Sequence, residues 1–346
     1  MKLHQPKELP IPDEVKAAAK LGRLTFFIGN GVSRLYGLPS WDELANRMLR
    51  KLAEHQKLNH SIVEILSRYP TKVKISIADA YFRENRNSNE FRDLNYEKML
   101  MGDIDILDIQ KKTPAYKLLA DCNVRLLTTN YDHILSDILE TVNSDDSVIA
   151  EVQTGEAQDE QEATTNQKTY KYNIFRNLHE LKESYLTENN VLVHLHGSMK
   201  DEDALISSTE SYLKFYGDKD NQDRLNLLFQ KQTVVFIGYG LEELEILDLI
   251  LRSSKALPET QESPRFFLVI SLLSHEAEIL KHLQVYYSQL RVTLLAYSRD
   301  SKDYHALTDV LEEWTKVLKP LVQPPSRVDR SLVRELLRKK FNELTL

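Results

Sequence analysis

The sequence predicts an α/β protein built on a doubly wound, mostly parallel sheet with a helical insertion. Three observations predict it. Short unbroken apolar runs, such as Leu24-Thr25-Phe26-Phe27-Ile28, have the length and the β-branched and aromatic content of strands buried on both faces. Stretches of helical periodicity separate these runs. Turn motifs rich in Gly, Asn or His follow the runs directly, at the carboxyl ends of the strands, where open parallel sheets bind ligands.

Taken in order, Asp13 to Leu21 reads as a short helix with Val15, Ala18 and Ala19 on one face. The strand Leu24–Ile28 runs into the turn Gly29-Asn30-Gly31-Val32-Ser33. Ser40 and Glu43 have capping-box spacing, so each can satisfy a free backbone N–H at the start of a helix striped by Leu44, Met48, Leu49 and Leu52. Residues of about 55–112 read as a helical insertion without evident chemistry. Pro114 opens the next helix, where its missing N–H costs little. A second strand, Asn123 to Thr129, ends in Thr129-Asn130-Tyr131-Asp132, with a helix from His133 to Thr141 after it. Residues of about 142–190 form a polar, acidic loop region. Val191 to Leu195 is a third strand, followed by His196-Gly197-Ser198, and Thr233 to Ile237 a fourth, followed by Gly238-Tyr239-Gly240-Leu241. Arg265 to Ile270 and Val292 to Tyr297 complete the strands, with helices at about 273–285 and 303–318. Residues 1–318 thus read as one Rossmann-like domain. Residues 319–346 read as a tail helix whose Val333, Leu336, Leu337, Phe341 and Leu344 share a face suited to oligomer or partner contact.

Composition excludes several classes. With 42% hydrophobic and 28% charged residues among 346, the chain is globular. A net charge of −7 argues against a broad grip on nucleic acid, which needs clustered positive charge. Cys122 is the single cysteine, so neither an internal disulfide nor a zinc site of several thiolates can form. No apolar run approaches the roughly 18 residues of a membrane span. Met1 to Pro12 lacks the apolar stretch of a secretory signal, so a cytoplasmic placement is expected.

The motifs carry the chemistry. Gly29 and Gly31, between a strand and a helix, let a backbone approach a diphosphate; a tight structural turn explains them equally. Arg34 stands where the dehydrogenase fingerprint has its third glycine, and no Gly-Lys-Ser/Thr of a Walker loop occurs. Asn130 can hold a ribose hydroxyl or a water. Asp132 can take a hydroxyl or amide proton, or cap the following helix. His196 has the placement and the near-neutral titration of a general base, while His194, two positions earlier, leaves a His-x-His metal pair as an alternative.

The ordered set Gly-Asn-Gly-Val-Ser, Thr-Asn-Tyr-Asp, His-Gly-Ser and Gly-Tyr-Gly-Leu resembles the sirtuin-like superfamily, especially its prokaryotic antiphage, NAD-consuming branch, over roughly residues 20 to 318. The resemblance implies Asn130, Asp132 and His196 as catalytic residues. It implies Gly29, Asn30, Gly31, Ser33, Thr129, Gly238, Gly240, Leu241 and Ser271 as NAD-binding, with Ser33 in the diphosphate loop and Ser271 toward the adenine ribose. Protein-deacylating sirtuins carry a four-cysteine zinc module after the His-Gly step, which one cysteine cannot build, and their Asn-to-His spacing is much shorter. The implied activity is therefore NAD hydrolysis to ADP-ribose and nicotinamide, with NAD as substrate and no zinc, defending against phage by NAD depletion. The resemblance also implies a homo-oligomer and an ATPase/helicase-like or Argonaute-like protein partner. A subunit that senses NAD or ADP-ribose without cleaving it is the alternative.

Overall fold

The computed structural model describes residues 3–85, 96–102, 113–144, 171–181, 185, 188–229, 232–255 and 265–322. Within these residues seven strands form one sheet: β1 (Leu24–Ile28), β2 (Arg125–Thr128), β3 (Asn173–Phe175), β4 (Val191–His194), β5 (Thr233–Ile237), β6 (Phe266–Leu272) and β7 (Val292–Ser298). Their order is β3-β4-β2-β1-β5-β6-β7, and every pairing is parallel. From β1 the chain passes to β2, then to the edge strand β3 and back to β4, before it crosses to β5 on the other side of β1, so the topological switch lies at the carboxyl end of β1.

Central strands are buried throughout and mostly apolar because both faces are covered. β1 is buried at all five positions: Phe26 and Ile28 enter one core, and Phe27 enters the other. Each such side chain contributes about 1.5–3 kcal/mol by leaving water. Before and around β1 come α1 (Asp13–Lys20), α2 (Asn30–Arg34) and α3 (Trp41–Glu54). α2 departs from the sequence expectation of a plain turn, because Asn30 to Arg34 wind into a short helix straight after Gly29. α3 starts as its sequence predicts: the Ser40 side chain accepts from the Glu43 N–H at 3.2 Å, and Glu43 accepts from the Ser40 N–H at 2.6 Å. Ser40→Ala should cost about 1 kcal/mol, measured by urea unfolding.

Within the predicted insertion lie α4 (His60–Leu66), α5 (Thr71–Asn85) and α6 (Tyr96–Met101); residues 86–95 and 103–112 of it are outside the described residues. α7 (Ala115–Asp121) follows Pro114, and α8 (Ile134–Ser144) follows the β2 loop. Of the predicted polar loop, residues 145–170 lie outside the described residues, as do residues 323–346 of the predicted tail helix. Past β4 come α9 (Thr209–Gly217), α10 (Lys219–Phe229), α11 (Leu244–Lys255), α12 (Ile279–Gln289) and α13 (Ala306–Leu318). Trp314 of α13 is buried and donates to the Leu9 carbonyl at 3.1 Å, fastening the N-terminal segment to α13.

Among the described residues no helix is long and apolar enough to cross a membrane, and no group of three or more His, Cys, Asp or Glu could hold a metal ion.

Candidate active site

The β1, β2, β4 and β5 loops bring most of the predicted residues to one edge of the sheet. Parallel strands all deliver their following loops to the same side, so these residues converge although they are far apart in sequence.

Asn130 is the hub. Its Nδ2 donates toward the Gly29 carbonyl at 3.0 Å, Ser33 Oγ at 2.9 Å and the Tyr116 hydroxyl at 3.2 Å. Its Oδ1 is buried and meets no donor among the described residues. Asp132 accepts from Ser33 Oγ at 2.6 Å and from the Tyr116 hydroxyl at 3.3 Å through Oδ2, while Oδ1 accepts the Ile134 N–H at 3.2 Å. It therefore caps α8 and holds the site at once. Burial pushes the Asp132 carboxyl above the usual carboxylate range, partly offset by the Ser33 and Ile134 hydrogen bonds.

The glycine turn sits differently from a free phosphate cradle. The Gly29 N–H donates to Ile237 O at 2.9 Å, Gly31 N–H to Gly238 O at 2.7 Å and Val32 N–H to Gly29 O at 3.1 Å. The glycines let the β1 and β5 loops touch backbone to backbone at the switch point. Ser33, predicted for the diphosphate, is 1% exposed and turned toward Asp132, Asn130 and Tyr116. Asn30 donates to the Pro39 carbonyl at 3.2 Å and lines a narrow crevice of about 10 Å³ together with Trp41, Asn130, Tyr131 and Asp132. Small-molecule pockets run from about 300 Å³ upward, whereas this crevice has room for about one water, so it is narrower than any dinucleotide needs. Thr129 and Leu241 are buried, while Gly240 has room around it.

Ser271 is a correction of position. Pairing with β7 carries β6 on to Leu272, so Ser271 lies inside the strand opposite Tyr297 rather than in a loop after it.

His196 is fully buried. Its Nε2 is 2.7 Å from the Tyr216 hydroxyl and its Nδ1 is 3.1 Å from the Tyr212 hydroxyl, both from α9. Burial, with the Lys72 charge adding to it, lowers its pKa to about 3. His194 turns elsewhere. Its Nδ1–H donates to the Asn130 carbonyl at 3.2 Å, which leaves Nε2 to accept from Ser136 Oγ at 2.8 Å. Strand alternation does not carry the two rings to one face, because β4 ends at His194. Burial holds His194 neutral as well, with its pKa lowered to about 4.

These two rings make the fold acid-sensitive. As pH falls below 6.5 the unfolded chain takes up protons that the folded rings refuse until about 4 and about 3, so stability is lost through that window. The slope approaches about 1.4 kcal/mol per pH step for each ring. Urea midpoints should fall between pH 6.5 and 4, and His194→Gln should remove part of that fall.

Tyr116, Tyr212, Tyr216 and Glu243 stand in contact with the predicted residues although sequence reasoning did not single them out. Glu243 left a signal: a carboxylate three residues past Gly240, in a loop that leaves a central strand.

Residues 124–288 match the model of a SIR2-like domain, a span that holds Asn130, Asp132, His196 and the Gly238 loop. The chain is also 25% identical over 315 residues to Defense-associated sirtuin 2 of Bacillus subtilis, an alignment covering 90% of this chain and 26% of that protein. It thus spans about a quarter of that relative's length. The Gly29 turn precedes the matched SIR2-like span, and Asn130 ties it in through the Gly29 carbonyl.

Proposed function

We propose that the chain is an NAD glycohydrolase that cleaves the nicotinamide–ribose bond to give ADP-ribose and nicotinamide, and that it acts in antiphage defence by depleting NAD. The SIR2-like domain and the likeness to a defence-associated sirtuin support the coarser reading, a defence role with NAD-related activity. The observation that carries the finer one is the Asn130 amide. Three contacts fix its Nδ2, while its buried Oδ1 faces no donor among the described residues. A buried acceptor left without a partner costs about 1–3 kcal/mol, and a ribose hydroxyl, an ordered water or the nicotinamide amide would supply the missing donor.

In this reading Asn130 orients the nicotinamide ribose and the attacking water. Asp132 fixes the Asn130–Ser33–Tyr116 cluster and the pocket beside it. His196 accepts the proton released as the water oxygen bonds to the ribose carbon. The electron pair of the broken bond leaves on the nicotinamide nitrogen and neutralises it, so no acid is needed for departure. The site's task is to stabilise a cationic sugar and keep stray water out. The buried setting suits that task, and in this reading the crevice of about 10 Å³ beside Asn130 widens to admit NAD. The Gly29 and Gly238 loops would flank the diphosphate once they part. Unregulated NAD loss kills the host, so the reading includes self-association, a trigger-sensing partner of ATPase/helicase-like or Argonaute-like type, and a cytoplasmic setting.

The test is to incubate the purified chain with NAD, alone and with the products of adjacent genes, and to follow nicotinamide by chromatography. Release of nicotinamide is the expected result. Tight NAD or ADP-ribose binding without release in any combination would replace hydrolysis with sensing. The sensing alternative has its own support, since Tyr212 and Tyr216 occupy both ring nitrogens of His196.

A further inference from the structure

A buried imidazole cannot accept a proton unless something balances the charge it gains. Around His196 the rings of Tyr212, Phe215 and Tyr216 are neutral, and the nearby Lys72 opposes protonation. Among the described residues one carboxylate comes within 4 Å of the ring: Glu243 Oε2 stands 3.9 Å from Nε2. That oxygen is buried and meets no hydrogen-bond donor among the described residues, and the side chain is only 20% exposed. The loop after β5 carries it, and Leu241 of that loop is buried in a left-handed conformation (φ 52°).

We propose that Glu243 is a positioning residue that acts through His196, supplying the negative charge that lets the imidazole take a proton. The chemistry rests on the NAD-cleavage reading above. As the water O–H breaks and its oxygen bonds to the ribose carbon, the proton goes to the imidazole and the glycosidic pair leaves on nicotinamide. The imidazolium then faces the Glu243 carboxylate until the proton passes to solvent.

Burial pushes the Glu243 carboxyl up to about 7, with the Tyr239 hydroxyl and the Lys72 ammonium pulling it back and Glu245 pushing it further. The groups that face it come from every side. Tyr212 and Tyr216 reach in from α9 and Tyr131 from the β2 loop, each with its own hydroxyl held protonated by burial and by this carboxylate or its neighbours. Lys72, from the start of α5, lies 3.6 Å from Glu245 and 4.3 Å from the centre of the Tyr212 ring. The active form is the carboxylate, so turnover rises with pH through about 7. Removing the Lys72 cation disfavours the carboxylate and moves that rise to higher pH.

The experiment is the pH profile of nicotinamide release by full-length wild type, E243Q, E243D and K72M, beside histidine-labelled NMR of the same proteins with the His196 signal assigned by its loss in H196Q. E243Q is expected to lower kcat about a hundredfold, in the range of one acid–base contribution, with KM little changed and no rise near neutral pH. E243D should recover part of kcat, and K72M should shift the rise upward. Wild-type kcat and profile in E243Q would overturn the proposal. If wild type releases no nicotinamide, the cleavage reading has failed and the NMR alone decides for Glu243. A His196 inflection near pH 7 that disappears in E243Q then supports the pairing, and one that persists, or is missing from wild type, overturns it.

Discussion

Asn130→Ala should abolish NAD cleavage, lowering kcat/KM at least about a hundredfold, the cost of losing one group that orients a reacting atom. Two effects combine. The substitution deletes the buried Oδ1 that is the site's waiting acceptor. It also strips a donor from the Gly29 carbonyl, Ser33 Oγ and the Tyr116 hydroxyl, so the β1 and β2 loops lose part of their tie. The second effect costs about 1–3 kcal/mol of stability, and thermal unfolding must accompany the assay. Gly29 O still accepts from Val32, and Ser33 still donates to Asp132, so the fold itself should survive. His196→Ala should be equally inactive while leaving the Asn130 cluster intact, since its ring contacts lie with Tyr212 and Tyr216. Normal nicotinamide release by either variant, with a cooperative melt, would remove that residue from the chemistry.

The parts of the fold legible in the sequence are those where one local property decides. β1 and β5 are flanked on both sides in a parallel sheet, so they are buried at every position and, Thr25 and Thr233 apart, apolar, and their limits fall where these runs end. β3 is three half-buried residues at the sheet edge, too short for any pattern to emerge. Ser271 was misplaced for a related reason. Hydrogen bonding to β7, not its own polarity, keeps it in the strand. The Asn130, Asp132 and His196 positions were legible because each follows a buried strand directly. The polar shell was not, because Tyr116 arrives from a helix before β2, Tyr212 and Tyr216 arrive from α9, and none carries a local mark of its role. Closure is likewise a property of loops meeting in space. Nothing in Gly29-Asn30-Gly31 says that its N–H groups face Ile237 and Gly238.

That contact separates two explanations of the glycine turn. Gly29 has φ −109° and ψ 177°, a conformation any residue adopts, so alanine meets no backbone penalty there. The obstacle is space. A Cβ on Gly29 would lie 2.5 Å from Gly238 O and 2.6 Å from Tyr239 Cα, and one on Gly31 would lie 2.7 Å from Gly238 O. These are backbone atoms of a neighbouring central-strand loop, with no side chain to swing aside. Gly29→Ala should therefore destabilise the protein by about 1–3 kcal/mol or more, visible in urea unfolding without any ligand. Gly238→Ala should cost more again. Its Cβ would lie 2.7 Å from Val32 N, and its φ of 61° adds the left-handed penalty of about 1–2 kcal/mol. Gly240→Ala is the control, since its Cβ would find ordinary contact with Glu242 at 3.6 Å and should change stability by less than about 0.5 kcal/mol. Were the glycine at 29 there only to admit a diphosphate, its alanine variant would unfold like wild type and lose only NAD affinity. Early unfolding without NAD would instead show that the same contact which keeps the crevice shut also helps hold the sheet edge together, so that any ligand reaching the Asn130 cluster must first work against it.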